Sequence, residues 1–223
     1  LKNSLAQTAG TGVEKPRTPN QIVGDYLERM MPSISSVLPK HVTADRMSRI
    51  ALNVIRSNPK LLECDVNSLM GAVLESAKLG LEPGIKGQSY LLPFKNNKTN
   101  RMEAQFIVGY RGLIDLVRRS GQVSTLEART VYENDEFEYE YGLNDKLVHK
   151  PTMDEKGLPV AYYAIAKMKD GGYSFLVMSH KEAEKYRDKY AKAKNFGPWK
   201  DEFDSMARKS VLRQLIKYLP TSV

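Results

Sequence analysis

From Thr18 onward the apolar residues recur at helical spacing. Thr18 is placed to cap a helix with Pro19 at its first position, where a missing N–H costs nothing. Ile22, Tyr26, Leu27 and Met30 then make a stripe that Pro32 is expected to end, and a short apolar piece from Ile34 to Leu38 stops at Pro39. Thr43 opens a second helix with Met47, Ile50, Ala51, Val54 and Ile55 on one face, ended by Asn58-Pro59. Asp65 opens a third, carrying Leu69, Ala72, Val73 and Ala77 and closed by Gly80.

Beyond Gly87 the period changes to two. Gln88, Tyr90, Leu92 and Phe94 fall on one face of a strand and Ser89, Leu91, Pro93 and Lys95 on the other. A polar turn over Asn96–Asn100 leads into a return strand from Met102 to Val108, so the spacing predicts a hairpin. Phe94 and Phe106 are expected in its core. After Gly109 a short helix follows, with Tyr110, Leu113, Ile114 and Val117 on its apolar face. Alternation resumes over Val123–Val131 and through Phe137, Tyr139 and Tyr141. A second hairpin, Pro159–Lys167 and Tyr173–Met178, turns at Asp170-Gly171-Gly172. Ser179 and Glu182 form a capping box before the next helix. A last helix is expected from Pro198 to about Leu219, with Val211, Leu212, Leu215, Ile216 and Leu219 as its stripe and Arg208 near the middle of that stripe.

These elements predict an α+β fold: N-terminal helices, a central antiparallel hairpin and sheet packed with helices, and a long C-terminal helix. Residues 1–18, poor in hydrophobics and without an apolar leader, read as a disordered tail. Residues 19–223 read as one domain, with 19–80 a helical scaffold for subunit contacts and 81–223 the sheet and helices of a binding groove.

The net charge of +8 is unevenly spread: +2 over 1–42, 0 over 43–85, +5 over 86–121, −5 over 122–160 and +6 over 161–223. Two basic segments separated by an acidic one suggest a basic face for a polyanion. In the first, Lys86, Lys95, Lys98, Arg101, Arg111, Arg118 and Arg119 are interleaved with Tyr90, Phe94, Phe106 and Tyr110, and cations mixed with flat rings suit a sugar-phosphate backbone and its bases. Arg111 could pair with Asp115 four residues on. A cation in a helix's first turn, however, opposes the dipole and joins free N–H groups in favouring an anion. In the second basic segment Lys209, Arg213 and Lys217 form a row at i, i+4 and i+8, read either as phosphate contacts or as ordinary matching of the dipole. Lys192, Lys194 and Asn195 precede two rings, Phe196 and Trp199.

Other chemistry is thinly supported. The glycine-rich loop from Gly80 to Gly87 lacks a GK[ST] ending and follows a helix, so ATP is not expected. Glu133, Asp135, Glu136, Glu138 and Glu140 could hold metal in a nuclease, but no lysine or histidine stands at a spacing that completes such a core. A solvated strand face is the plainer reading. No apolar run is long enough to span a bilayer, and the lone Cys64 suits a reducing cytosol.

Five segments carry a resemblance: Leu79-Gly80-Leu81-Glu82-Pro83, Gly87-Gln88-Ser89-Tyr90-Leu91-Leu92-Pro93-Phe94, Gln105-Phe106-Ile107-Val108-Gly109-Tyr110-Arg111-Gly112, Arg119-Ser120-Gly121, and Trp199 with Met206-Ala207-Arg208-Lys209-Ser210-Val211 and Pro220. In order and spacing the chain resembles the RecT family of phage and prophage recombinases. The resemblance implies binding of single-stranded DNA, annealing of complementary strands without ATP, and assembly into rings or helical filaments. It also implies a partner exonuclease, a host single-strand-binding protein, action in the bacterial cytoplasm, a hairpin and sheet-plus-helix core, and a further C-terminal region.

The combined expectation is a strand-annealing protein with no bond chemistry, no required cofactor and Mg²⁺ at most modulatory. Lys95, Lys98, Arg101, Arg111, Arg208, Lys209, Arg213 and Lys217 would neutralise phosphates, Gln88, Gln105 and Tyr110 would bond the backbone, and Phe196 or Trp199 would stack at the rim. The alternatives are a metal-dependent nuclease and a plain DNA-binding module that does not anneal.

Overall fold

A computed structural model describes residues 18–191, 193 and 196–222. The tail expected before Thr18, and Lys192, Lys194 and Asn195, lie outside the described residues. Helix α1 (Pro19–Arg29) opens on a capping box in which Thr18 and Gln21 satisfy each other's backbone N–H groups. Helix α1 ends at Arg29, with Met30 capping it, just before Pro32 as expected, and the short piece after it is itself helical. Pro32 stands in the first turn of α2 (Met31–Val37), where no N–H is needed. The buried stripe runs through Val23, Leu27 and Ile34, and Ile22 and Tyr26 are exposed instead. Thr43 caps α3 (Ala44–Ser57) and Asp65 caps α4 (Val66–Leu79), which Gly80 closes in the left-handed conformation at φ 57°.

Strands β1 (Ser89–Asn96) and β2 (Arg101–Val108) pair antiparallel, with Tyr90 opposite Ile107, Leu92 opposite Gln105 and Phe94 opposite Glu103. The hairpin's inner face joins the helical core: Leu91 and Ala104 are buried in it, and Met102 and Phe106 pack on it. Ala104 N–H donates to Ser68 Oγ at 2.9 Å and Asp65 N–H to the Met102 carbonyl at 2.8 Å, fastening β2 to the start of α4. Phe94 is not in the core. Its alternation places it on the outer face, where it is exposed.

A second core lies beyond α5 (Tyr110–Arg119). Strands β3 (Val123–Tyr132), β6 (Pro159–Met168) and β7 (Tyr173–Ser179) form an antiparallel sheet in the order β3-β6-β7. Helix α6 (His180–Tyr190) starts at the Ser179–Glu182 capping box. The expected long last helix is two: α7 (Pro198–Asp201) and α8 (Phe203–Ile216), separated where Glu202 leaves helical geometry at φ −135°, ψ 48°. Ala164 and Ala166 on β6 and Ala207 on α8 are buried in this core, and side chains this small let the helix lie close on the sheet. Tyr162, fully buried on β6, donates to Asp204 Oδ1 at 2.7 Å and fixes where α8 begins.

The other face of the sheet is covered by the hairpin of β4 (Glu136–Glu140) and β5 (Lys146–Lys150). Phe137 stacks on Tyr163 at 5.7 Å and Tyr141 on Phe175 at 5.0 Å. Asp135 locks this hairpin. Its side chain is 1% exposed, lies 3.0 Å from His149 Nε2 and accepts backbone N–H groups of Tyr132 and Thr152. Burial opposes its charge, but His149 and the two N–H groups outweigh it and hold the carboxyl at about 2, below its ordinary 3.8. A depressed carboxyl contributes stability that is present above the unfolded value and lost as pH falls through the folded one. Between pH 4 and 2 the wild type is therefore expected to lose about 2 kcal/mol relative to an Asp135→Asn chain, measured by urea unfolding of both across that window.

Candidate nucleic-acid interface

The loop between α4 and β1 joins the two cores. Leu81 is buried, and its carbonyl accepts from Ser76 and, at 3.0 Å, from Ser89. Glu82 is clamped by Arg46 of α3, whose guanidinium holds it below the usual carboxylate range. Gln88 Oε1 accepts the Glu82 N–H at 3.1 Å while its Nε2 donates to Asp115 at 2.9 Å. Arg119 reaches back from α5 to cap α4, bonding the carbonyls of Leu79 and Gly80 at 2.7 and 2.9 Å.

Two glycines let this loop meet α5. A Cβ on Gly109 would stand 2.0 Å from the Gly87 carbonyl oxygen, and one on Gly112 would stand 2.2 Å from that of Gln88. Only hydrogen fits at either place. The Gly109-Tyr110-Arg111-Gly112 segment is thus built for the backbone of Gly87-Gln88 to lie against the first turn of α5. That turn has no side-chain cap, and Arg111 stands beside it, exposed, with Nη1 3.4 Å from the Lys86 carbonyl. Asp115 is committed to Gln88, and it forms no ion pair with Arg111 among the described residues.

Tyr110 turns toward α8. Lys209 Nζ lies over its ring, 5.6 Å from the centroid. Tyr110, Ala128, Ser205, Arg208, Lys209 and Leu212 are among the residues lining a cleft of about 490 Å³. Lys209 is half-buried, and burial, then the charge of Arg213, push its pKa down, while Tyr110 opposes the shift. A half-buried ammonium next to a guanidinium is a place where an anion relieves both the burial and the repulsion. Arg208 is not inside the apolar stripe as its phase suggested. The buried side of α8 is set by Ala207, Ser210, Val211 and Leu215, which leaves Arg208 exposed on the cleft's rim.

The sequence-derived residues therefore separate into groups. Tyr110, Arg111, Arg208, Lys209 and Arg213 come together around the cleft and the start of α5. Lys217 continues their row as the residue capping α8. Lys95, Lys98, Arg101 and Gln105 are exposed on the hairpin, toward and around its turn. Gln88 has both ends of its amide occupied and serves as a strut. Trp199 packs on Phe203 at 5.5 Å and near Tyr186 at 6.4 Å, on the α6 side, and Phe196 is exposed before it. Lys86, counted in the sequence among the cations of its segment but not among the phosphate contacts, is exposed beside Arg111.

The acidic segment is engaged elsewhere: Glu136 pairs with Lys150 at 2.7 Å, Glu138 with Lys146 at 2.8 Å, and Glu133 accepts the Leu158 N–H at 3.0 Å. Among the described residues no cluster of three His, Cys, Asp or Glu side chains is arranged to hold a metal, and no helix is long and apolar enough to cross a membrane.

A model of the RecT family matches residues 45–223. The chain belongs to the RecT family. It is 47% identical over 197 residues to Protein RecT of Escherichia coli (strain K12), covering 87% of this chain and 73% of that protein. It is also 25% identical over 181 residues to the uncharacterized protein YqaK of Bacillus subtilis (strain 168), covering 81% of this chain and 60% of that one. The family match spans α3 to α8, so it includes the loop, the hairpin and both walls of the cleft.

Proposed function

We propose that the chain binds single-stranded DNA and anneals complementary strands, acting as an oligomer along the DNA and using neither ATP nor a metal ion. The observation that carries this reading is the cleft between Tyr110 and Lys209, edged by Arg208, in a chain of the RecT family. Arg111 with the free N–H groups of α5 takes one phosphate, and Arg208, Lys209 and Arg213 take others. Lys217 and the hairpin cations extend the track. One strand is held extended with its charge screened, so the approach of a second is no longer opposed, and base pairing and stacking supply the free energy, roughly 1.4 kcal/mol per step. Family resemblance adds an exonuclease that supplies the single strand and a host single-strand-binding protein as proposed partners.

Complementary oligonucleotides are expected to anneal faster with the protein than without it, in EDTA and with no nucleotide present. Full-length strands should be recovered afterwards on a denaturing gel. A need for ATP or Mg²⁺ would overturn the cofactor-free mechanism, and shortened strands in Mg²⁺ would favour a nuclease. Equal affinity for single and double strands without annealing would favour a plain DNA-binding module.

A further inference from the structure

The outer face of the β1–β2 hairpin carries Tyr90, Leu92, Phe94 and Ile107, exposed to 43, 42, 38 and 37%. The register sets Tyr90 against Ile107 and Leu92 against Gln105, so these side chains make one continuous patch. An antiparallel sheet with one face on the core ordinarily turns polar residues to water on the other. Here the inner face already supplies Leu91, Ala104, Met102 and Phe106 to the helical core. The outer residues are not needed there, and no third strand pairs with the hairpin among the described residues. A patch of this kind marks a contact surface.

Its rim says what covers it. Lys86 and Arg111 stand at the α5 end, where Tyr90 Oη reaches to within 3.0 Å of where a Gly87 Cβ would be. Lys98 and Arg101 stand at the turn. None of these four forms an ion pair with another described residue. Glu103, the acid on this face, accepts from Asn96 Nδ2 and Thr99 Oγ1 at the turn, each at 2.9 Å. A second copy laying the same face on this one would set four cations against four. The acidic β4 of another copy has Glu136 and Glu138 already paired with its own lysines. An apolar floor with rings, a neutral amide at Gln105 and cations at both ends fits unstacked nucleobases with their phosphates along the rim. Rings at alternate positions on an antiparallel sheet are an established way of holding single strands.

Resting on the single-strand-binding reading above, we infer that this outer face is a platform for nucleobases, with Tyr90 and Phe94 stacking on them and Leu92 and Ile107 packing between. Bases held by their flat faces keep their pairing edges free for a second strand.

The probes are an oligothymidylate and a strand of equal length in which tetrahydrofuran abasic units replace every base. The wild type is expected to prefer the oligothymidylate. A Tyr90→Ala, Phe94→Ala double variant is expected to bind oligothymidylate roughly 30-fold more weakly or worse, about the loss of two base contacts, and to bind the abasic strand as the wild type does. Its salt slope should not change, and Tyr90→Phe should keep the preference for bases. Lys98→Gln with Arg101→Gln is expected to do the converse, lowering the slope on both strands and keeping the preference. Equal losses on both probes by the double variant, or none, would overturn the platform. So would an intact base preference with a smaller species in sedimentation without DNA, which would make the face a protein contact. A wild type that binds neither strand would instead remove the single-strand-binding reading itself.

Discussion

Replacing Lys209, Arg213 and Lys217 together by glutamine is expected to weaken single-strand binding about a hundredfold near 0.1 M salt. On single strands each phosphate contact contributes roughly 0.7 to the slope of log affinity against log salt, so three lost contacts lower the slope by about 2. The geometry separates the three. Lys209 is half-buried on the Tyr110 ring, while Arg213 and Lys217 are exposed and make no ion pair among the described residues. Exposed cations add little to folding on their own. Glutamine keeps most of the stem that packs on Tyr110, so the variant should melt near the wild-type temperature. An unchanged salt slope with a lowered melting temperature would show that the row supports the fold and leaves phosphate alone.

Gly112→Ala is expected to lower the melting temperature by about 5 °C or more and to weaken DNA binding with it. Ordinary helix propensity argues the other way, since alanine inside a helix is favoured over glycine by about 1 kcal/mol. Here the added methyl would stand 2.2 Å from the Gln88 carbonyl oxygen and 3.1 Å from Leu81 Cδ1. The nearer atom is backbone and cannot swing away. Forcing such a contact costs about 1–3 kcal/mol, and in a chain of this length each kcal/mol is about 2–4 °C. The loop would have to leave α5, taking Lys86 from Arg111 and loosening the Gln88 strut. A rise in melting temperature would mean that the loop yields without cost and that the close approach has no structural role.

What could be read from the sequence divides along the range of the forces involved. Caps are local, so Thr18, Thr43, Asp65 and Ser179 were placed correctly by their own neighbours. The β1–β2 and β6–β7 hairpins followed from alternation and their turns, whereas the β4–β5 hairpin did not. The inward face of β1–β2 did not either, because Leu91 and Pro93 compete with Tyr90, Leu92 and Phe94, and period two alone cannot say which set meets α4. Arg208 was misplaced because the inner side of α8 is marked by Ala207 and Ser210, small residues that weigh little in an apolar pattern but are chosen by the alanines of β6. The occupation of Gln88 by Glu82 and Asp115, and the meeting of Tyr110 with Lys209, depend on tertiary contacts that no local pattern carries. The family motif gathers binding candidates and bracing residues alike, and it does not show which of them bind and which brace.

The division into two cores has a further consequence for the order of events in synthesis. Residues of α1 to α4 and β1–β2 complete their own core from contiguous chain, and units of this kind fold as they emerge. The cleft cannot form on that schedule. Tyr110 waits for Lys209, which arrives only after the whole sheet has been made, and Arg208 and Arg213 arrive with it. A nascent chain thus displays a folded scaffold, with the outer face of the β1–β2 hairpin already formed, long before the Tyr110–Lys209 cleft exists.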